Sequence, residues 1–160
     1  MTSDLPFIQW LWSDPETMKA VGGPFYMSDD QAQHWFTAMI DPGLPTDCYR
    51  LIFNIKSEPV GEISFHQLNP NTVTAELNIK IASANRGKGY AKKALIQFLD
   101  YFFNQLGGRV LLDDVALDNE EGQNLLLRFG FEHDPGIDDV FRLFMTRERY
   151  HRLHTVQGLS

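Results

Sequence analysis

Residues 49–81 limit the possible folds more than any other part of the chain. "YRLIFNI" (49–55) is apolar and β-branched. "VGEISFH" (60–66) alternates, with Ile63 and Phe65 on one face and Glu62, Ser64 and His66 on the other. "TVTAELNIKI" (72–81) puts Val73, Ala75, Leu77, Ile79 and Ile81 on one side. Alternation with period two marks a strand with one buried face. "SEP" (57–59) and "NPN" (69–71) supply the turns between them. Three successive strands joined by tight turns predict an antiparallel meander, and its apolar face must be covered by other elements.

Helices can cover it. Ala91, Ala94, Leu95, Phe98, Leu99 and Phe102 recur as a buried helical stripe, and Gly107-Gly108 ends it. "RVLLDDVAL" (109–117) reads as a strand, and "DNEEGQNLLLRF" (118–129) as a short helix with Asp and Asn at its N-cap. "VFRLFMT" (140–146) is a last strand, and the polar tail from Arg147 is helical or frayed. Ahead of the meander, "SDPE" (13–16) predicts a capping box in which Ser13 accepts from the amide of Glu16. "SDDQ" (28–31) repeats the device before a helix with Ala32, Trp35, Phe36 and Met39 on one face. "VGGPF" (21–25) is a turn, and Pro42, Gly43 and Pro45 end the second helix. The predicted order is α-α-β-β-β-α-β-α-β. That is an α/β (α+β) fold with a mixed, largely antiparallel central sheet and helices on both faces, in a single domain spanning 1–160.

The chain is 43% hydrophobic and carries a formal net charge of −7. An acidic balance argues against a nucleic-acid partner, which needs a basic face. Cys48 is the one cysteine, so no disulfide framework forms within the chain. That usage, with no basic leader ahead of an apolar run, predicts a cytoplasmic protein. No stretch reaches the ~18 apolar residues of a membrane span. No Cys/His cluster has ligand spacing, so no metal is expected.

Between the third strand and the long helix lies "ANRGKGYAKKAL" (84–95). The first turn of a helix leaves amides unsatisfied and carries partial positive charge. Glycines there permit positive φ and close approach, and the product is an anion cradle suited to phosphate. A Walker A loop needs Gly-Lys-Ser/Thr where this chain has Gly-Tyr-Ala, and a dinucleotide fingerprint needs a third glycine.

The run Arg86-Gly87-Lys88-Gly89-Tyr90-Ala91, read as R-x-x-G-x-A, resembles the pyrophosphate loop of the GNAT N-acetyltransferase family. "NEEGQNLLLRFGF" is similar to the family's second signature, with Asn119, Gly122, Leu125, Leu126, Arg128, Gly130 and Phe131 in its slots. "AELNIKI" (75–81) resembles the strand before the loop. The family's usual first strand has no legible counterpart before Leu5, and Ser83 stands where the family often has proline.

The resemblance implies acetyl-coenzyme A as cosubstrate and direct acetyl transfer to an amine in a ternary complex. It implies cofactor binding by backbone amides of Arg86, Gly87, Lys88, Gly89, Tyr90 and Ala91. It also implies pairing of the pantetheine arm with the backbone of Ile79 and Ile81, a form of strand addition. Asn119 would touch the pantetheine region, and it reads equally as a helix N-cap. Lys88, Lys92, Lys93 and Arg128 are cations that can meet phosphates; Lys88 inside the loop is the preferred contact, and a solvated helix face is the preferred reading of Lys92 and Lys93. Glu76 is the implied base that deprotonates the amine, and it reads equally as a strand-surface carboxylate or one that orients the cationic substrate; Glu62 and His66 are second-line candidates. Leu126 departs from the family, where tyrosine often protonates the leaving thiolate; leucine has no proton to give. The acceptor implied is a small-molecule amine or a protein amino terminus, with a homodimer as an open possibility. Leu126 also keeps open a non-catalytic acyl-CoA-binding module.

Overall fold

The computed structural model describes residues 2–40 and 43–154, so Pro42 and the end of the polar tail lie outside the described residues. Three helices come first: α1 (Leu5–Ser13), α2 (Pro15–Met18) and α3 (Asp29–Met39). The meander follows as β1 (Cys48–Phe53), β2 (Pro59–Asn69) and β3 (Thr74–Ile81). Then come α4 (Tyr90–Asp100), β4 (Val110–Val115), α5 (Glu120–Phe129), β5 (Glu132–Asp134), β6 (Phe141–Thr146) and α6 (Arg147–His154). The strands form one sheet in the order β1-β2-β3-β4-β6-β5. Only β3 and β4 run parallel, because α4 crosses over between them. The other neighbours are antiparallel.

Helices cover both faces, as the patterning requires. On one side Ile63, Phe65, Ala75, Leu77, Leu111, Leu143 and Met145 pack with Leu95, Phe98 and Leu99 of α4 and Tyr150 of α6. On the other, Leu5 and Ile8 of α1 and Ala32 and Phe36 of α3 form a smaller core against Tyr49 and Leu51 of β1.

Four local expectations need correction. The N-cap near residue 13 is Asp14, not Ser13. Asp14 accepts from the Thr17 amide, while Ser13 closes α1 and its hydroxyl donates to the Trp10 carbonyl. Both residues have a cap-forming side chain, and Pro15 decides between them because it is favoured just inside a helix. Val73 does not join the apolar face of β3; its φ of +51° puts it in the turn, and β3 starts at Thr74. The long helix does not stay α-helical to its end. After Asp100 it becomes a π-helical turn, Tyr101–Gln105. The wider turn lets consecutive Phe102 and Phe103 both reach 0% exposure. Gly108 must be glycine here, because a Cβ would sit 2.3 Å from the Phe102 ring. Finally, β5 is a short polar edge strand that periodicity does not reveal.

The second capping box forms as expected. Gln31 donates its amide to Ser28 Oγ, and its side chain accepts from the Ser28 amide. No strand precedes α1 among the described residues, where a 3-10 turn (Thr2–Asp4) leads in.

Candidate active site

The site begins where two parallel strands part. β3 and β4 pair only at Thr74–Val110, Ala75–Leu111 and Glu76–Leu112. β4 then continues alongside β6 to Val115, while β3 continues alongside β2 to Ile81. The facing edges beyond Glu76 therefore have no strand partner in each other, and a wedge opens with backbone donors and acceptors along it. A cleft of about 1100 Å³ occupies the wedge and is lined by Ile79, Lys80 and Ile81 of β3.

The glycine loop closes one end of this cleft. Arg86, Gly87, Gly89, Tyr90 and Ala91 all line it; Lys88 is exposed and lies outside the lining. Gly87 and Gly89 have φ of +76° and +83°, and a Cβ built on either would meet nothing within 4 Å. These glycines are needed for backbone conformation, and the space before them is open. Gly89 is the N-cap of α4 and supplies no capping side chain. The first-turn amides of α4 are thus left to satisfy an anion, with the helix dipole in the same sense. Lys92 and Arg128 line the same cleft.

The Arg86 guanidinium turns back instead: its Nε donates to the Ile81 carbonyl at 3.3 Å and a terminal nitrogen donates to the Thr17 carbonyl at 3.0 Å. It therefore fastens the loop to β3 and α2. A further network does the same. Ser83 donates its amide to Thr17 Oγ1 at 3.0 Å and its hydroxyl to Asp14 Oδ2 at 3.3 Å, and the Thr17 hydroxyl also donates to Asp14. The hydrogen bond from the Thr17 side chain holds the Asp14 carboxyl below its ordinary range. Ser83 thus ties the loop to α2, a role its place in the motif does not disclose.

Asn119 serves as the N-cap of α5, accepting from the Gly122 amide at 3.0 Å, and it also lines the cleft. Its two readings are compatible. Leu125 lines the cleft, but Leu126 is 1% exposed and belongs to the core.

On the other face of the sheet, Glu76 sits at the apex of the wedge, paired with His66 and Leu112, and is exposed. It lines a small hollow of about 240 Å³ on that side and not the larger cleft. His66 is engaged elsewhere. Its Nδ1 lies 3.2 Å from Asp47 Oδ1 and its Nε2 2.9 Å from Ser64 Oγ. Those contacts repeat the order of a hydrolytic triad. Ser64, however, is 2% exposed, too deeply buried for a substrate carbonyl to reach.

Glu62 is also 2% exposed and fully engaged. It accepts from Trp12 Nε1 at 3.0 Å, from Lys80 Nζ at 2.9 Å and from the Tyr49 hydroxyl. Burial, and then the Glu62 charge, push the Tyr49 hydroxyl well above its usual range, so it stays a donor. Glu62 is buried behind its donors, and both ring nitrogens of His66 already have hydrogen-bond partners.

The residue that sequence reasoning missed is Asp113. It is the next residue of β4 after Leu112, where pairing with β3 ends, and is half-buried. Burial, then the neighbouring Asp114 charge, push its carboxyl up to about 7; Lys80 opposes the shift and Glu76 adds to it. Glu76, Lys80 and Asp113 therefore share one electrostatic environment around the apex. In sequence Asp113 is one of two consecutive aspartates in an apolar strand, and that interruption is the only signal available. Among the described residues no three His, Cys, Asp or Glu side chains gather as a metal site.

A family model described as the acetyltransferase (GNAT) domain matches residues 1–132. The chain belongs to the GNAT family of N-acetyltransferases. An uncharacterized N-acetyltransferase p20 from Bacillus licheniformis is 25% identical over 125 residues, which cover 77% of this chain and 70% of that protein. The uncharacterized N-acetyltransferase YoaA of Bacillus subtilis is 31% identical over a shorter stretch, 48% of this chain and 44% of its own length. Among solved structures, the spermidine N-acetyltransferase of Vibrio cholerae in complex with CoA and spermine superposes with a TM-score of 0.82 at 23% identity, covering 92% of each chain. A chimera of that enzyme with hSSAT gives 0.81, also at 23%, over 94% of this chain and 93% of its own. These likenesses establish the shared fold.

Proposed function

We propose that this chain, acting as one domain, transfers the acetyl group of acetyl-coenzyme A directly to an amine held at the apex of the wedge. The observation that carries this reading is the open glycine cradle at the end of an unpaired strand edge. The amides from Arg86 to Ala91 would hold the pyrophosphate, and the backbone of Ile79 and Ile81 would pair with the pantetheine arm. Asn119, already lining the cleft, would lie beside that arm. Bound acetyl-coenzyme A supplies the activated acetyl group.

An amine attacks only when neutral, so a base must take its proton. Glu76 is that base: it stands at the apex on the face opposite the cradle and is open to solvent. Asp113, just past the last β3–β4 pair, is a second candidate proton acceptor, its carboxyl pushed up to about 7 by burial. The acceptor is a small amine or a protein amino terminus. The structural likeness to a spermidine N-acetyltransferase bound to CoA and spermine favours a polyamine-like substrate.

The test is to follow release of free thiol from acetyl-coenzyme A across a panel of polyamines, other small amines and peptide amino termini. Amine-dependent thiol release with a matching acetylated product is expected. Tight binding of acetyl-coenzyme A with no turnover on any amine would instead support the non-catalytic acyl-CoA-binding module, the reading that Leu126 keeps open.

A further inference from the structure

Lys80 is unexplained by the roles given so far. It lies between Ile79 and Ile81, lines the cleft and is only 9% exposed. Its Nζ donates to Glu62 Oε1 at 2.9 Å and to Asn78 Oδ1 at 3.1 Å, and stands 5.3 Å from the centre of the Trp12 ring. Two acceptors use two of its three N–H bonds. The contact with Asn78 bends the side chain back along β3 toward Glu76 at the apex. The charge also reaches across the wedge, where it opposes the shift of Asp113. The ionisable groups facing this region are Glu62 from β2, Tyr49 from β1, Glu76 from β3, and Asp113 and Asp114 from β4.

A buried ion pair adds little net stability over an apolar pair of the same volume. A cation held this firmly on the unpaired strand edge that lines the cleft points to a task there. The task is open, since Leu126 supplies no proton to a leaving group and is sealed in the core.

We propose that the Lys80 ammonium holds the negative charge that develops on the coenzyme A sulfur as the acetyl group leaves. This rests on the acetyl-coenzyme A reading above. In the step, the amine nitrogen bonds to the carbonyl carbon and the carbon–sulfur bond breaks, with its electron pair going to sulfur. Glu76 takes the amine proton and later gives it to water. The sulfur stays a thiolate paired with Lys80 until it draws a proton from water on release. Glu62, with Tyr49 and Trp12 behind it, is a positioning residue that keeps Lys80 in place.

The experiment titrates coenzyme A with base in the presence of excess protein and follows thiolate absorbance in the ultraviolet, with binding checked by calorimetry. Wild-type protein is expected to raise the thiolate-to-thiol ratio about tenfold over free coenzyme A at a given pH. The double variant Lys80→Met/Glu62→Gln removes both charges, so no lone buried charge is left to unfold the chain. It is expected to bind coenzyme A and return the ratio to that of the free molecule, while Lys80→Arg keeps most of the enhancement. Bound coenzyme A no more ionised than free coenzyme A in the wild type would overturn the proposal, as would full enhancement in the double variant. If the double variant does not fold, the wild-type titration decides. Absence of coenzyme A binding would overturn the acetyl-coenzyme A reading, and this inference with it.

Discussion

Gly89 concentrates the cradle's chemistry in one residue. Its φ of +83° disfavours any other side chain, and the space before it is open. Gly89→Glu would add backbone strain and a negative charge where the proposed function places the phosphate. It should weaken acetyl-coenzyme A binding by at least about tenfold in a calorimetric titration; unchanged affinity would remove the site from this loop. Glu76→Gln should lower turnover by about 10²-fold or more while leaving acetyl-coenzyme A affinity within a few-fold. Equal turnover at every pH would make Glu76 structural. Asp113 gives a stability prediction with a definite sign. Between about pH 4 and about 7 the unfolded chain ionises this carboxyl while the folded chain keeps it protonated. Its contribution to stability therefore falls as pH rises through that window and levels off above it. Asp113→Asn should raise the urea midpoint at pH 8 and change it little at pH 4; a uniform shift at both would contradict the assignment. At this scale the positions of Glu76 on β3, of the glycine loop before α4 and of Asn119 at the α5 N-cap were legible because motif and alternation place them. Asp113, Asp14 and Thr17 were not, because their roles depend on where β3 leaves β4 and on α2 docking against the loop.

Among the elements, the helix after the loop is the one whose details escaped its pattern. A stripe of period 3.6 includes Phe102 and excludes Phe103, yet both are fully buried through the π-helical turn. Phe102 lies 5.5 Å from Phe65 and 5.0 Å from Phe103, ring centre to ring centre. Phe102→Ala should cost about 3–5 kcal/mol in chemical denaturation. A loss below about 1 kcal/mol would mean the turn relaxes to fill the space. The meander was legible because turn residues interrupt strict alternation. β5 was not, because three polar residues carry no alternation; what holds it is pairing with β6 and the His133 ring stacked 3.9 Å from Phe141. Of the N-terminal helices, α2 and α3 were legible by their caps, with the first cap displaced from Ser13 to Asp14, whereas α1 precedes both boxes and was not.

The whole sheet joins the meander to a second set of strands through the short parallel β3–β4 pairing, and the seam between them is the proposed site. The crossover through α4 makes β3 and β4 parallel and brings the helix N-terminus to the mouth of the wedge they leave. Apart from α1 and β5, the order of elements was readable, and with it the fold class. The length over which β3 and β4 stay paired was not, since both strands continue to alternate after they part. Among the described residues no helix is long and apolar enough to cross a membrane. The central claim is that the cradle and wedge together bind acetyl-coenzyme A. Calorimetric titration of the purified protein with acetyl-coenzyme A, with ATP and NAD as controls, tests it most directly. The account predicts saturable binding of one acetyl-coenzyme A per chain and far weaker binding of the controls. No binding, or equal binding of all three, would contradict it.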